Sequence, residues 1–314
     1  MSRSSVADSR HDEHSGRFSF GDIVGRSPGM NELFGQLPRV ADSDSPVLIS
    51  GASGTGKELV AEEIHRRGPR RDRPFVAVHC QAVPENHLES ALFGQAGVRP
   101  GRIARADRGT LFVDEVGYLS PALQVKILGL LRDRMYEPAG AGVPSRVDVR
   151  VIAATNRNLD ALVREGAFLK DLYYRLCVIG LDLPPLSERR EDIPLLVRHF
   201  MKSLVVTTGR RIGEISAEAL SILSRYPFPG NVRELFNIIQ RAFILCTGDC
   251  IQPEHLPPKV CGAASGSLDA LASAERGAIV RALQQNGNNR TRAAKDLGIH
   301  RSTLLRKMRR YGLY

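Results

Sequence analysis

Between residues 21 and about 185, short continuous apolar runs alternate with stretches whose apolar positions recur every three or four residues. The runs are PVLIS (46–50), PFVAVHC (74–80), GTLFVDE (109–115), VRVIAATN (149–156) and YRLCVIGLDL (174–183). Apolar runs without polar alternation suit strands of a parallel sheet covered by helices on both faces. The pattern therefore predicts an α/β domain over 21–185. From 186 to 258 the strand pattern stops and helical spacing continues, broken at YPFPGN (226–231), which predicts a smaller helical domain. Residues 259–267, including the small-residue stretch CGAASGS (261–267), read as a linker. Residues 268–314 read as three helices, and the polar, aperiodic residues 1–20 as a disordered tail.

The first chemistry lies where the strand PVLIS gives way to the helical ELVAEEIHRR. Gly51, Ala52, Ser53, Gly54, Thr55, Gly56, Lys57 and Glu58 form a glycine loop between strand and helix, the context of a P-loop. The glycines let successive N–H groups turn inward as an anion nest, and the helix N-terminus adds partial positive charge. Lys57 is placed to reach the β- and γ-phosphates of a nucleoside triphosphate. Glu58 stands where a Ser or Thr hydroxyl ordinarily binds Mg²⁺, so metal ligation leans on other groups and water. A second apolar strand ends in Asp114-Glu115. Asp114 is the candidate Mg²⁺ ligand, directly or through water, and Glu115 the group that orients and deprotonates the attacking water. A third strand ends at Thr155-Asn156; the Asn156 amide senses the γ-phosphate or fixes the attacking water, or simply forms a turn.

Charge changes the picture at the other end of the chain. The formal net charge is +10, and residues 262–314 hold ten Lys/Arg against three acids, so +7 of it lies in the last 53 residues. A local basic block points to nucleic acid. Within it, Thr291 to Leu297 reads as a short helix with Ala293, Ala294 and Leu297 inward, and Gly298 and Ile299 form the turn. Arg301 to Arg310 reads as a second helix with Leu304, Leu305 and Met308 buried. That is a helix-turn-helix for double-stranded DNA. Arg301, Ser302, Thr303 and Arg306 are the candidates for base edges; Thr291, Arg292, Lys307, Arg309 and Arg310 are candidates for phosphates. Leu268, Leu271, Ile279, Val280 and Leu283 form an apolar stripe, either a dimer seam or packing onto this motif.

No apolar run approaches the ~20 residues needed to span a bilayer, and the first residues have no apolar signal core. Five scattered cysteines, an odd number, point to reduced thiols and a cytoplasmic location, with Cys246 and Cys250 as ordinary thiols.

The segments GASGTGKE, GTLFVDE, VIAATN, LYYRL, LPPLSERREDIPLL and YPFPGNVREL occur in this order over about 21–258. In them the chain resembles the bacterial sigma-54 activators, AAA+ proteins also called enhancer-binding proteins, in which a Glu after the P-loop lysine is usual. The helix-turn-helix resembles the Fis-type domain that these activators carry. The resemblance implies a P-loop domain with a helical lid, ATP and Mg²⁺ as cofactors, and RNA polymerase as partner. It also implies self-association, from dimer to hexameric ring, with ATP between subunits. It places Val24, within Ile23-Val24-Gly25, near the adenine, and makes Arg233 the lid arginine that reads bound nucleotide. Arg175 is then an arginine that completes a neighbouring subunit's site. The family pattern Phe-Arg-x-Asp-Leu-x-x-Arg-Leu is met by Phe168-Leu169-Lys170-Asp171-Leu172-Tyr173-Tyr174-Arg175-Leu176, so the first arginine has become Leu169. Lys170 beside it cannot make the bidentate guanidinium contact. Hydrolysis is expected to be slow, or to need a partner subunit.

The resemblance departs most at GQAGVRPGR (94–102). The family carries there a loop with Gly-Ala-Phe-Thr-Gly-Ala that pushes on sigma-54. In this chain Leu92-Phe93-Gly94 runs to Gly101-Arg102 through Gln95–Pro100 alone, and a tight connecting loop is expected. With about twenty residues ahead of the nucleotide domain, no receiver domain is expected either. The readings left open are a regulator of another polymerase form, a repressor or scaffold with weak ATPase, and an activator working beside a complete partner subunit.

Overall fold

Alternate residues along the central strands face opposite sides of one sheet, and each side is apolar. Leu111 and Val113 join one buried cluster while Phe112 joins the other; Val151 and Ala153 are likewise divided from Ile152 and Ala154. The computed structural model describes residues 19–210, 212–262, 279–280, 282–283, 289–297, 299, 303–304 and 307–308.

By its contacts the chain divides into two units, Met1–Gly213 with Pro227–Ile244, and Glu214–Tyr226 with Leu245–Tyr314. The elements run β1 (Ser19–Phe20), β2 (Ile23–Val24), α1 (Pro28–Asp42), β3 (Val47–Gly51), α2 (Lys57–Arg67), β4 (Phe75–His79), α3 (Glu85–Phe93), β5 (Gly94–Gln95), β6 (Arg99–Pro100), α4 (Arg102–Arg105), β7 (Thr110–Asp114), α5 (Pro121–Asp133), β8 (Met135–Tyr136), β9 (Ser145–Arg146), β10 (Arg150–Thr155), α6 (Leu159–Arg164), α7 (Lys170–Leu176), β11 (Ile179–Leu183), α8 (Ile193–Thr208), β12 (Glu214–Ile215), α9 (Ala217–Arg225), α10 (Asn231–Leu245) and β13 (Cys250–Ile251).

Five of these strands form the parallel sheet, in the order β11-β3-β10-β7-β4. One face is covered by α1 and α2, whose Met30, Leu33, Leu37, Val60 and Ile64 pack with Val47, Ile49 and Leu181. The opposite face packs Leu88, Leu92, Ile127, Leu162 and Leu172. Doubly covered parallel sheets are what continuous apolar strands require.

Four features differ from the sequence pattern. Tyr174–Leu176, inside the last apolar run, belong to α7, because Phe168, Leu172 and Leu176 recur at four-residue spacing and are all buried. The first ladder starts at Ser19, within the stretch expected to be tail. The region expected to hold helices alone carries a two-residue parallel pair, β12 with β13. Residues 258–262 are helical, although 259–267 read as linker; 263–267 lie outside the described residues.

Arg150, the first residue of β10, is 2% exposed and among the largest buried side chains of the described residues. Its Nη1 and Nη2 donate to the carbonyls of Ala41 (3.0 Å) and Val40 (2.6 Å), closing the C-terminal end of α1 with positive charge. Burial lowers its pKa from the ordinary guanidinium value.

Candidate functional site

At the end of β3 the chain leaves the sheet and turns before α2 begins at Lys57. The turn needs left-handed backbone at Gly54 (φ 78°) and Gly56 (φ 107°), which glycine adopts without steric cost. Gly54 has a second reason: a Cβ there would sit 2.4 Å from the Gly230 carbonyl oxygen. The start of α10 thus rests directly on the loop. The Arg233 N–H donates to the Gly54 carbonyl at 3.2 Å, and Asn231 Nδ2 donates to the Ser53 carbonyl at 2.9 Å. Arg233 Nη1 reaches Ser53 Oγ at 3.5 Å.

Three strand ends meet at one carboxylate. Lys57 Nζ, only 6% exposed, donates to the carbonyls of Gly51 (2.9 Å) and Ala52 (3.3 Å) and lies 3.4 Å from Glu115 Oε1. Glu115 Oε2 accepts the Asn156 N–H at 2.8 Å. Asn156 thus touches the Glu115 carboxylate through its backbone, and its residue is exposed. Glu115 itself adopts φ 58°, left-handed for a non-glycine residue, a strain of ~1–3 kcal/mol that clusters at functional sites.

Asp114 has a partner that the sequence pattern did not single out. His79 ends β4, its register partner on β7 is Asp114, and the two side chains meet at 3.1 Å (Nδ1 to Oδ2). His79 Nε2 lies 3.7 Å from Glu58 Oε1, so one imidazole spans both carboxylates. Strand order brings them together, and strand order is not written in local sequence. Cys80 next to it is buried, and burial first, then the Asp114 and Glu115 charges, push its thiol up to about 12, which disfavours the thiolate.

These groups line a cleft of about 790 Å³ that includes Ser53, Lys57, His79, Asp114, Glu115 and Arg233. A pocket of about 240 Å³ shares Gly56, Leu59, Phe200 and Val232 with it and is walled by Ile23, Val24, Leu183 and Leu196. A charged cleft joined to an apolar pocket has the form needed for a triphosphate and a base. Among the described residues no group of three or more His, Cys, Asp or Glu could hold a metal ion alone. A Mg²⁺ ion takes one or two carboxylates and completes its shell with phosphate oxygens and water. Asp114 lines the cleft wall and is a carboxylate that could hold such an ion.

The segment Arg189–Asp192 braces the site and also escaped the sequence reading as functional. Arg189 is 3% exposed; its Nη2 donates to the Thr55 carbonyl and its Nη1 to Met30 Sδ, both at 3.0 Å. Burial lowers its pKa from the usual guanidinium value. Asp192, fully buried, accepts from the N–H groups of Arg26 (2.6 Å) and Ser27 (2.9 Å) and from Ser27 Oγ (2.9 Å). Asp192→Ala should strand these donors and destabilise the unit by about 3 kcal/mol, read as a lower urea midpoint with an unchanged slope.

Arg175 lies exposed on α7 and is not among the residues lining either cavity. The Leu169 N–H donates to Gln124 Oε1 at 2.7 Å, and its side chain packs against the core. Lys170 Nζ sits over the Tyr174 ring, 6.0 Å from its centroid.

In the second unit, Arg290–Asp296 form a helix started by Asn289, whose Oδ1 accepts the N–H groups of Thr291 (3.1 Å) and Arg292 (3.2 Å). Ala293, Ala294, Leu304 and Met308 are buried together with Ile279 and Leu283, so these two residues of the stripe pack on the helix-turn-helix core. Thr291 and Arg292 are exposed, and Thr303 and Lys307 half-buried. Arg301, Ser302, Arg306, Arg309, Arg310, Leu305, Leu268 and Leu271 lie outside the described residues. No described helix is long and apolar enough to cross a membrane.

The fold and cleft define an AAA+ P-loop nucleotide-binding protein with a helical lid, and the second unit adds a Fis-type helix-turn-helix. The chain matches the Sigma-54 interaction domain over residues 23–182, the AAA+ ATPase lid domain over 187–271, and the bacterial regulatory protein, Fis family, over 270–311. It belongs to the sigma-54 activator family of transcriptional regulators. The transcriptional regulatory protein ZraR of Salmonella typhimurium is 43% identical over 301 residues, covering 92% of this chain and 68% of that protein. The regulatory protein AtoC of Escherichia coli is 41% identical, covering 96% of this chain and 70% of AtoC. Among solved structures, NtrX from Brucella abortus in complex with ATP superposes with a TM-score of 0.71 at 35% identity, covering 95% of this chain and 70% of NtrX. A Thermotoga maritima RuvB mutant, at 15% identity and TM-score 0.51, shares the fold alone.

Proposed function

We propose that this chain is a sequence-specific DNA-binding transcription regulator that binds Mg²⁺-ATP in the cleft and does not remodel sigma-54 polymerase by itself. The base would lie against Ile23 and Val24, as the relative NtrX crystallised with ATP makes reasonable. When bound, Mg²⁺ would neutralise charge on the phosphates. Glu115 orients and deprotonates water, Lys57 binds phosphate oxygens, and Arg233 reads nucleotide from the lid. Arg175 would serve a neighbouring subunit's site.

The connection at 94–102 carries the regulatory half of the reading. β5 and β6 pair antiparallel, Gly94 with Pro100 and Gln95 with Arg99, leaving only 96–98 to turn, with Gly97 at φ 68°. The Ala96 N–H donates to the Ala139 carbonyl (3.0 Å) and the Ala139 N–H to the Gly94 carbonyl (3.1 Å), tying the hairpin to the β8–β9 connection. A tied three-residue turn without Phe-Thr offers no loop to push on sigma-54. In vitro transcription with sigma-54 polymerase, ATP and this chain alone should yield no transcript above background. Robust activation there would overturn the proposal. Leu169 favours a second reading, a mixed ring in which a complete subunit supplies the missing arginine and loop. Adding such a relative should then raise ATP turnover above the sum of the two proteins.

A further inference from the structure

Glu63 is a further buried carboxylate near the site, beside Glu115 and Asp192, and nothing in the proposed chemistry uses it. It lies on α2, two turns after Lys57, and its side chain is 1% exposed. It faces the turn between β1 and β2. At Gly21 (φ 61°) a Cβ would fall 1.8 Å from Glu63 Oε2. Only a glycine lets the turn lie flat on this carboxylate.

Two arginines close the arrangement. Arg66 Nη1 stands 2.8 Å from Glu63 Oε1 and 3.2 Å from Asp22 Oδ2, bridging helix and turn. Arg67 Nε donates to Glu63 Oε2 at 3.2 Å, and its guanidinium carbon lies 4.3 Å from the Phe20 ring centroid. β1 and β2 hold two residues each and pair only with one another. So short a ladder is not stable alone, and its position is set by what clamps it. Yet it supplies Asp22, Ile23 and Val24 to the wall of the apolar pocket, facing Leu59 and Val60 of α2.

We infer that Glu63 is a positioning residue for the nucleoside: it locks the β1–β2 turn onto α2 and so fixes the wall against which the base packs. The inference rests on the pocket being the base site of the proposed function. It also separates the two parts of the ligand. The clamp's ion pairs run among Asp22, Glu63, Arg66 and Arg67, whereas Lys57 of the phosphate cradle is held by Gly51, Ala52 and Glu115, so a phosphate chain without a base should be indifferent to the clamp.

The test uses the full chain and Glu63→Gln, which keeps size and removes charge. Arg66 and Arg67 are about half exposed (56% and 49%) and remain hydrated, so no buried charge is orphaned. ATP affinity should fall about fivefold, the scale of one partly buried ionic contact, while affinity for inorganic tripolyphosphate stays unchanged. Amide exchange over 19–24 should accelerate, and exchange over β3 and β7 should not. Gly21→Ala, which displaces the carboxylate from the other side, should reproduce the selective loss. Equal loss for ATP and tripolyphosphate would overturn the inference, as would unchanged ATP affinity. If the parent binds tripolyphosphate but gains nothing from the adenosine, the base site itself is wrong, and both readings fall.

Discussion

Lys57→Ala is expected to weaken ATP binding at least about a hundredfold, roughly 3 kcal/mol. The ammonium is held in the loop by the Gly51 and Ala52 carbonyls and neutralises Glu115 at 3.4 Å. Its removal deletes charge-assisted bonds to phosphate and leaves the Glu115 charge facing the triphosphate. The fold should survive, because alanine is the strongest helix former at the first residue of α2. Equilibrium titration with a fluorescent ATP analogue reads the affinity, and thermal unfolding checks integrity. A loss below about threefold, under 1 kcal/mol, would mean that phosphate is held elsewhere.

Glu115→Gln should separate binding from hydrolysis. The glutamine carbonyl can still accept the Asn156 N–H, so the strained backbone at φ 58° keeps its tether. An amide cannot take a proton from water, and loss of a positioned general base typically costs ~10²–10⁴ in rate. Phosphate release should therefore fall by that factor while ATP affinity holds or rises. Turnover within about threefold of the parent would place the base on another residue. The parent rate itself is expected to be low, since Leu169 packs against the core where the family pattern has an arginine.

Most of the nucleotide unit is legible in the sequence, because its signals are local. An apolar run, a glycine loop and a helix lie in one stretch, and the same holds for the strand ending in Asp114-Glu115. The helix-turn-helix core was legible for the same reason, down to Ala293, Ala294, Leu304 and Met308. The rest depends on neighbours distant in sequence. His79 becomes a site residue only because β4 pairs with β7 in a register that sets it beside Asp114. Arg189 reaches Thr55 and Asp192 reaches Ser27 across more than 130 residues, contacts that no spacing encodes. The β11 boundary was misplaced because the end of α7 is apolar enough to pass for a strand, and its four-residue period shows only when Phe168 is included. The sequence points to the Asn156 side-chain amide, and the fold adds a backbone N–H bond to Glu115 that sequence cannot express.

The proposed function stands on a triphosphate gripped by the loop 51–57 and its base seated against β2. The most direct measurement is a calorimetric titration of the intact chain with ATP in the presence of Mg²⁺. The account predicts saturable binding at a single site per chain, weaker for tripolyphosphate than for ATP because the base adds its own burial. Heats indistinguishable from dilution across the whole range of ATP would contradict it.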